Sequence, residues 1–227
     1  MSEIKHPAHL QEEKNPVEKI QQSWDKYGKQ AGYALFAIIL IVGGYLGYKY
    51  MISDPNEKKA TEAMFRAEEY FRMDSASLAL KGDNTNAGFL KILNKYGGTK
   101  AANLAGFYAG NCYLKLGDFN NAVKYLKDFS TSDKLVQIRA YGGLADAYSE
   151  LNKKEDAAEQ YKKAGTYFDK DDLLSPEYLF RAGYLYESLG KTQEAIDMYQ
   201  AIKNKYPNTP RGLEIDKYLA RLGIVAN

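Results

Sequence analysis

The chain has 227 residues, 45% of them hydrophobic and 26% charged, which excludes a disordered polyelectrolyte and fits a chain that buries a core. Lys and Arg number 31 against 29 Asp and Glu, a net charge of +2, so no general electrostatic footprint for nucleic acid is present and none is expected as a partner. The single cysteine, Cys112, excludes an intramolecular disulfide framework.

Residues 1–14 read as a polar tail, and Asn15-Pro16 has the form of a helix cap followed by proline at the first helical position. Val17, Ile20, Trp24 and Tyr27 then recur at helical spacing. Two readings stand for this stretch: a short helix lying on a membrane surface, or an extension of the helix that follows. From Ala31 to Tyr48 runs an 18-residue stretch without a charge. At about 1.5 Å per residue it covers roughly 27 Å, close to the hydrocarbon thickness of a bilayer. Tyr33, Tyr45, Tyr48 and Tyr50 sit near its ends, with Trp24 and Tyr27 just outside, as in an aromatic belt. A cleavable signal peptide has a shorter apolar core nearer the N-terminus and a small-x-small cleavage site, so this segment reads as an uncleaved anchor. The expected layout is a tail over 1–30, a transmembrane helix over 31–50 and a folded domain over 57–225. Lys19, Lys26 and Lys29 precede the anchor and Lys49, Lys58 and Lys59 follow it, so the charge count does not orient it. Gly43 and Gly47 form a Gly-x-x-x-Gly pair through which another membrane helix could approach closely.

Asp54-Pro55 is expected to break the anchor, with helical periodicity resuming near Glu57. Three later segments share one pattern: a small residue, Tyr three positions on, and Ala nine positions after that. They are Gly110/Tyr113/Ala122, Ala145/Tyr148/Ala157 and Gly183/Tyr186/Ala195. The spacing predicts helical hairpins in which the small residue admits the second helix, and Gly117 and Gly190 end first helices in a left-handed cap. The intervals of 35 and 38 residues between the small positions lie near the tetratricopeptide period. Residues 57–98 read as a degenerate first hairpin with a polar loop at 82–86, and Leu213, Ile215, Tyr218, Leu219 and Leu222 as a terminal capping helix. The expected fold is all-α: a single transmembrane helix followed by a tetratricopeptide-repeat-like α-solenoid.

An N-terminal anchor followed directly by such a domain resembles the YfgM family. So do the phrases Tyr96-Gly-Gly-Thr-Lys-Ala-Ala-Asn-Leu-Ala105, Leu116-Gly-Asp-Phe-Asn-Asn-Ala-Val123 and Tyr206-Pro-Asn-Thr-Pro210. The resemblance covers roughly residues 15–225. It implies a bacterial inner-membrane protein, N-terminus cytoplasmic and repeat domain periplasmic. It also implies association with the SecYEG translocon and a PpiD-like membrane-anchored chaperone, in assistance to exported client proteins. The longer N-terminal tail departs from that pattern.

Little in the sequence suggests catalysis. His6 and His9 lie in the tail, Cys112 has no histidine near it, and there is no phosphate-binding glycine loop, nucleophile elbow or zinc spacing. No enzyme, cofactor or metal is expected. In stacked hairpins the first helices line a concave face, and helical spacing from the small residues picks out its candidates. These are Leu104, Phe107, Asn111 and Leu114, then Arg139, Asp146 and Glu150, then Phe180, Tyr184 and Glu187. Such a mixture suits extended or helical peptide segments, while Leu104, Phe107 and Phe180 are equally compatible with core positions. A structural scaffold of a cell-envelope complex and a cytoplasmic adaptor of inverted topology are the competing functions.

Overall fold

The computed structural model describes residues 16–224; the expected tail over 1–14, with His6 and His9, lies outside them. The chain divides after Pro55 into two compact units.

The first unit is α1, Pro16–Tyr48, a single helix with no interruption near residue 30. It is long and apolar enough to cross a membrane. Its large apolar side chains, among them Leu35, Phe36, Ile38, Ile39, Leu40 and Ile41, are all exposed. In water such a surface would be unstable; a helix apolar all round calls for an apolar solvent. Contrary to expectation, Asp54-Pro55 does not break the helical chain. Residues Lys49–Ser53 form one π-helical turn in which the Asp54 N–H bonds the Lys49 carbonyl five residues back. Widening the turn in this way relieves the clash a proline ring makes with the carbonyl four residues before it. Pro55 then occupies the first turn of α2, Asp54–Arg72, where its missing N–H has no partner to lose.

The second unit consists of hairpins. α5 (Lys100–Lys115) pairs with α6 (Phe119–Leu126), α7 (Lys134–Glu150) with α8 (Lys154–Tyr167), and α9 (Leu174–Ser188) with α10 (Thr192–Lys205); α11 (Pro210–Arg221) packs on α10 and α9. The small residues act as expected. A Cβ on Gly110 would lie 2.5 Å from Leu126, and one on Gly183 2.5 Å from the Tyr199 ring. The tyrosine three positions on marks where each first helix stops. The carbonyls of Tyr113, Tyr148 and Tyr186 accept N–H bonds from Asp118, Lys153 and Lys191. The residue before each of those donors has positive φ: Gly117, Asn152 and Gly190. Asn152 takes the place of glycine because asparagine tolerates the left-handed region.

The same device closes α2: Ser75 N–H bonds the Tyr70 carbonyl, with Asp74 at φ 58°. Ala67, Tyr70 and Ala79 keep the small–Tyr–Ala spacing, and Ala67 and Ala79 are fully buried. The first hairpin thus keeps the register of the later repeats. Its second helix is interrupted, α3 (Ala76–Lys81) and α4 (Phe89–Lys95) being separated by the loop 82–88.

Two of the connectors share one geometry. Thr99 Oγ1 accepts the Ala102 N–H at 3.0 Å and donates to the Tyr96 carbonyl at 2.8 Å; Thr209 Oγ1 accepts the Gly212 N–H at 3.1 Å and donates to the Tyr206 carbonyl at 2.8 Å. Each cap is worth about 1 kcal/mol. At α5 the Glu57 carboxylate adds bonds to the Lys100 and Ala101 N–H groups, at 2.7 and 2.9 Å, tying α2 to that helix start. Leu213, expected on the apolar face of the last helix, is 77% exposed, while Ile215 and Leu219 carry the buried face.

Candidate functional site: a groove along the first helices

The first helices α2, α5, α7 and α9 line a cleft of about 570 Å³. α2 contributes Glu68, Phe71 and Arg72; α5 Leu104, Phe107, Tyr108 and Asn111; α7 Val136, Arg139, Gly143 and Asp146; α9 Leu174 and Tyr178. Each set recurs at three- or four-residue steps, so one stripe of each helix faces the cleft. Five of the residues singled out by spacing meet here: Leu104, Phe107, Asn111, Arg139 and Asp146.

Their situations differ. Phe107 is 8% exposed and packs on Phe129 with ring centroids 5.3 Å apart, so most of its surface belongs to the core. Leu104 is half-buried. Asn111 donates to the Phe107 carbonyl at 2.8 Å, which leaves its side-chain oxygen free to accept. Asp146 accepts from the Tyr161 hydroxyl and from Arg181 at 3.2 Å. Burial, followed by that carboxylate, raises the Tyr161 phenol above its ordinary value.

Arg181 also bonds Glu177 at 3.0 Å, Glu177 accepts from Arg211 at 2.7 Å, and Arg211 reaches Glu214 at 2.8 Å. Burial alone would raise the Glu177 carboxyl, but Arg211 and Arg181 outweigh it and hold it below the usual range. Asp146 is thus the first member of an ion-pair chain that runs from α7 across α9 to α11.

The other predicted residues lie outside the cleft. Leu114 is half-buried beside Gly143, and Glu150 is exposed. Phe180 is covered by the Arg211 guanidinium, 3.9 Å from its ring, and meets Tyr218 edge-on at 4.8 Å. Glu187 accepts from Tyr199 at 3.1 Å and Arg221 at 2.7 Å. Tyr184 is 55% exposed and stacks on Phe180. On α1, a Cβ on Gly43 or Gly47 would meet nothing within 4 Å, so both lie on open surface.

Sequence reasoning missed the α2 side of the cleft and both tyrosines, Tyr108 and Tyr178. A signal for the α2 side existed. Glu68 follows Ala67 as Asn111 follows Gly110 and Asp146 follows Ala145. Tyr178 had no such signal, because its place depends on Gly142, where a Cβ would lie 2.3 Å from the phenol. Cys112 is fully buried among apolar neighbours, which pushes its thiol up to about 12. A thiol so protonated is inert at neutral pH.

Residues 104–132 and 177–209 match one tetratricopeptide repeat model, and residues 138–164 match a second. No curated protein matches the chain. The matched segments coincide with the hairpins α5–α6, α7–α8 and α9–α10, and mark these three hairpins as tetratricopeptide repeats, which indicate a protein-interaction module.

Proposed function

We propose that the chain is a membrane-anchored protein-interaction module whose concave groove holds segments of partner proteins. The observation that carries this reading is the cleft between the first helices, where apolar side chains from α2, α5 and α7 alternate with polar groups. Such a surface suits a peptide with spaced apolar anchors. The α1 helix would span a bacterial inner membrane with the N-terminus cytoplasmic and the repeat domain periplasmic. Gly43 and Gly47 would admit a neighbouring membrane helix. The module would act beside the SecYEG translocon with a PpiD-like chaperone, receiving exported clients; the support for this is the anchor-plus-repeat architecture and the phrases around Thr99, Gly117 and Thr209.

The test is crosslinking in living bacteria from photoreactive residues placed at Tyr45 and at Lys58, both exposed. The expected captures are translocon subunits and the chaperone. Capture of other envelope proteins with no translocon component would replace the export role with that of a structural scaffold. A compartment reporter fused after Asn227 is expected to report the periplasm; a cytoplasmic signal would make the chain an adaptor of inverted topology.

A further inference from the structure

The groove contains hydrogen-bond donors left without a protein acceptor among the described residues. Among the described residues Arg139 has no carboxylate within ion-pairing distance. Asp146 in the same cleft is engaged by Arg181 at 3.2 Å and by the Tyr161 hydroxyl, while Glu68 stands 3.9 Å from Arg72. The half-buried phenols of Tyr108 and Tyr178 make no hydrogen bond among the described residues. Arg139 lines the same cleft as both phenols; burial raises both, and nearby guanidinium charges, Arg72 and Arg139 at Tyr108 and Arg181 and Arg139 at Tyr178, draw them part of the way back. α7 contacts α5 on one side and α9 on the other, which sets Arg139 mid-groove, with Tyr108 on one neighbouring helix and Tyr178 on the other. Phe71, Leu104 and Val136 supply apolar surface in the same cleft.

From this juxtaposition we infer that the groove, if it binds segments as proposed above, selects those carrying an Asp or Glu side chain beside apolar anchors, its carboxylate seated on Arg139 and flanked by Tyr108 and Tyr178. A carboxylate is the acceptor that satisfies a planar guanidinium in two bonds and still takes phenol donors on its remaining lone pairs. A backbone carbonyl could accept from the phenols but would bring no negative charge to the exposed Arg139 guanidinium. A cationic side chain would be repelled. Lining residues lie on both sides of Arg139, so an internal residue of a passing segment fits better than a chain end.

The test uses the full chain in detergent micelles and fluorescent, carboxy-amidated peptides of about twelve residues with Leu and Phe anchors. The peptides carry Glu, Gln or Lys at one central position, and binding is read by anisotropy. The Glu peptide should bind about tenfold more tightly than its Gln twin, as a charge-assisted pair does. That advantage should vanish in Arg139→Gln, and Arg139→Glu should prefer the Lys peptide. Equal binding of all three peptides by the unaltered chain would overturn the carboxylate preference and leave the groove reading standing. Binding of none would remove both. Arg139-dependent binding restricted to a peptide with a free carboxy-terminus would assign the seat to a chain end and overturn the side-chain inference.

Discussion

At the C-terminal end of the hairpin stack, α9 gives Leu174 and Tyr178 to the cleft but spends the rest of its inner face on α10 and α11. Phe180 lies under Arg211 and against Tyr218, Glu187 holds Tyr199 and Arg221, and Glu177 is gripped by Arg181 and Arg211. In the N-terminal half, α2, α5 and α7 present the same stripe to an open cleft, and Arg139 and Tyr108 there, with Tyr178 from the start of α9, have no acceptor among the described residues. Glu68, Asn111 and Asp146 line the cleft, whereas their counterpart on α9, Tyr184, lies on exposed surface beside the covered Phe180. One repeat geometry thus produces two outcomes: a helix laid on the concave face converts binding positions into packing positions. The groove extends only as far as the first helices remain uncovered.

That contrast can be broken hardest at Tyr199, fully buried between the Tyr218 ring, 5.6 Å away, and Gly183. Tyr199→Ala should destabilise the chain by about 3–5 kcal/mol, in the range for large aromatic truncations in a core. Denaturant unfolding of the full chain in micelles would measure it. A loss below about 1 kcal/mol would show that α11 does not depend on this cluster. Gly142→Ala sharpens the contrast where the two halves meet. The added methyl would overlap the Tyr178 phenol at 2.3 Å, and overpacking of this kind costs about 1–3 kcal/mol. Alanine in mid-helix would otherwise stabilise by about 1 kcal/mol, so a net gain in stability would mean that Tyr178 swings away freely. The expected result is a net loss, together with weakened peptide binding from the displaced phenol.

How much of this was legible in the sequence varied with the range of the interaction. The hairpins follow from patterns within a dozen residues, such as Gly183/Tyr186/Ala195, and the glycine caps at Gly117 and Gly190 follow from left-handed backbone that glycine readily adopts. The first repeat was obscured because the loop 82–88 stretches its period, although Ala67, Tyr70 and Ala79 keep the register. The phrases Tyr96-Gly-Gly-Thr99 and Tyr206-Pro-Asn-Thr209 prove to be one turn used twice, a threonine capping the next helix while bonding the preceding tyrosine carbonyl. Groove membership was only half legible. Helical spacing places Arg139 and Asp146 on the inner stripe, but the covering of Phe180 and Glu187 depends on Arg211 and Arg221, more than thirty residues away. The π-helical turn at Lys49–Ser53 was missed because proline after an apolar run ordinarily signals a stop.

The mildest perturbation separates the ends by their response to acid. In the interrupted first repeat, Asp83 accepts from the Tyr70 hydroxyl at 2.5 Å, from the Asn86 N–H at 2.6 Å and from the Thr85 N–H at 2.7 Å. Those bonds, the Tyr70 hydroxyl foremost, hold its carboxyl well below the ordinary Asp value. A carboxyl lowered on folding contributes stability that is complete above its unfolded value, about 3.9, and is lost as pH falls below that towards the folded value. The loop 82–88 should therefore keep its order through mildly acidic pH and loosen only below about pH 4. Asp83→Ala should speed amide exchange at Thr85 and Asn86 at neutral pH and flatten the dependence of stability on pH in the acid range. Exchange in α9 and α11 should be unaltered, because the depressed Glu177 carboxyl there is held by Arg211 and Arg181, which are independent of the loop. Faster exchange in α9 as well would show that the interrupted repeat and the capped end open as one cooperative unit, and that the contrast between them lies in their surfaces and not in their stability.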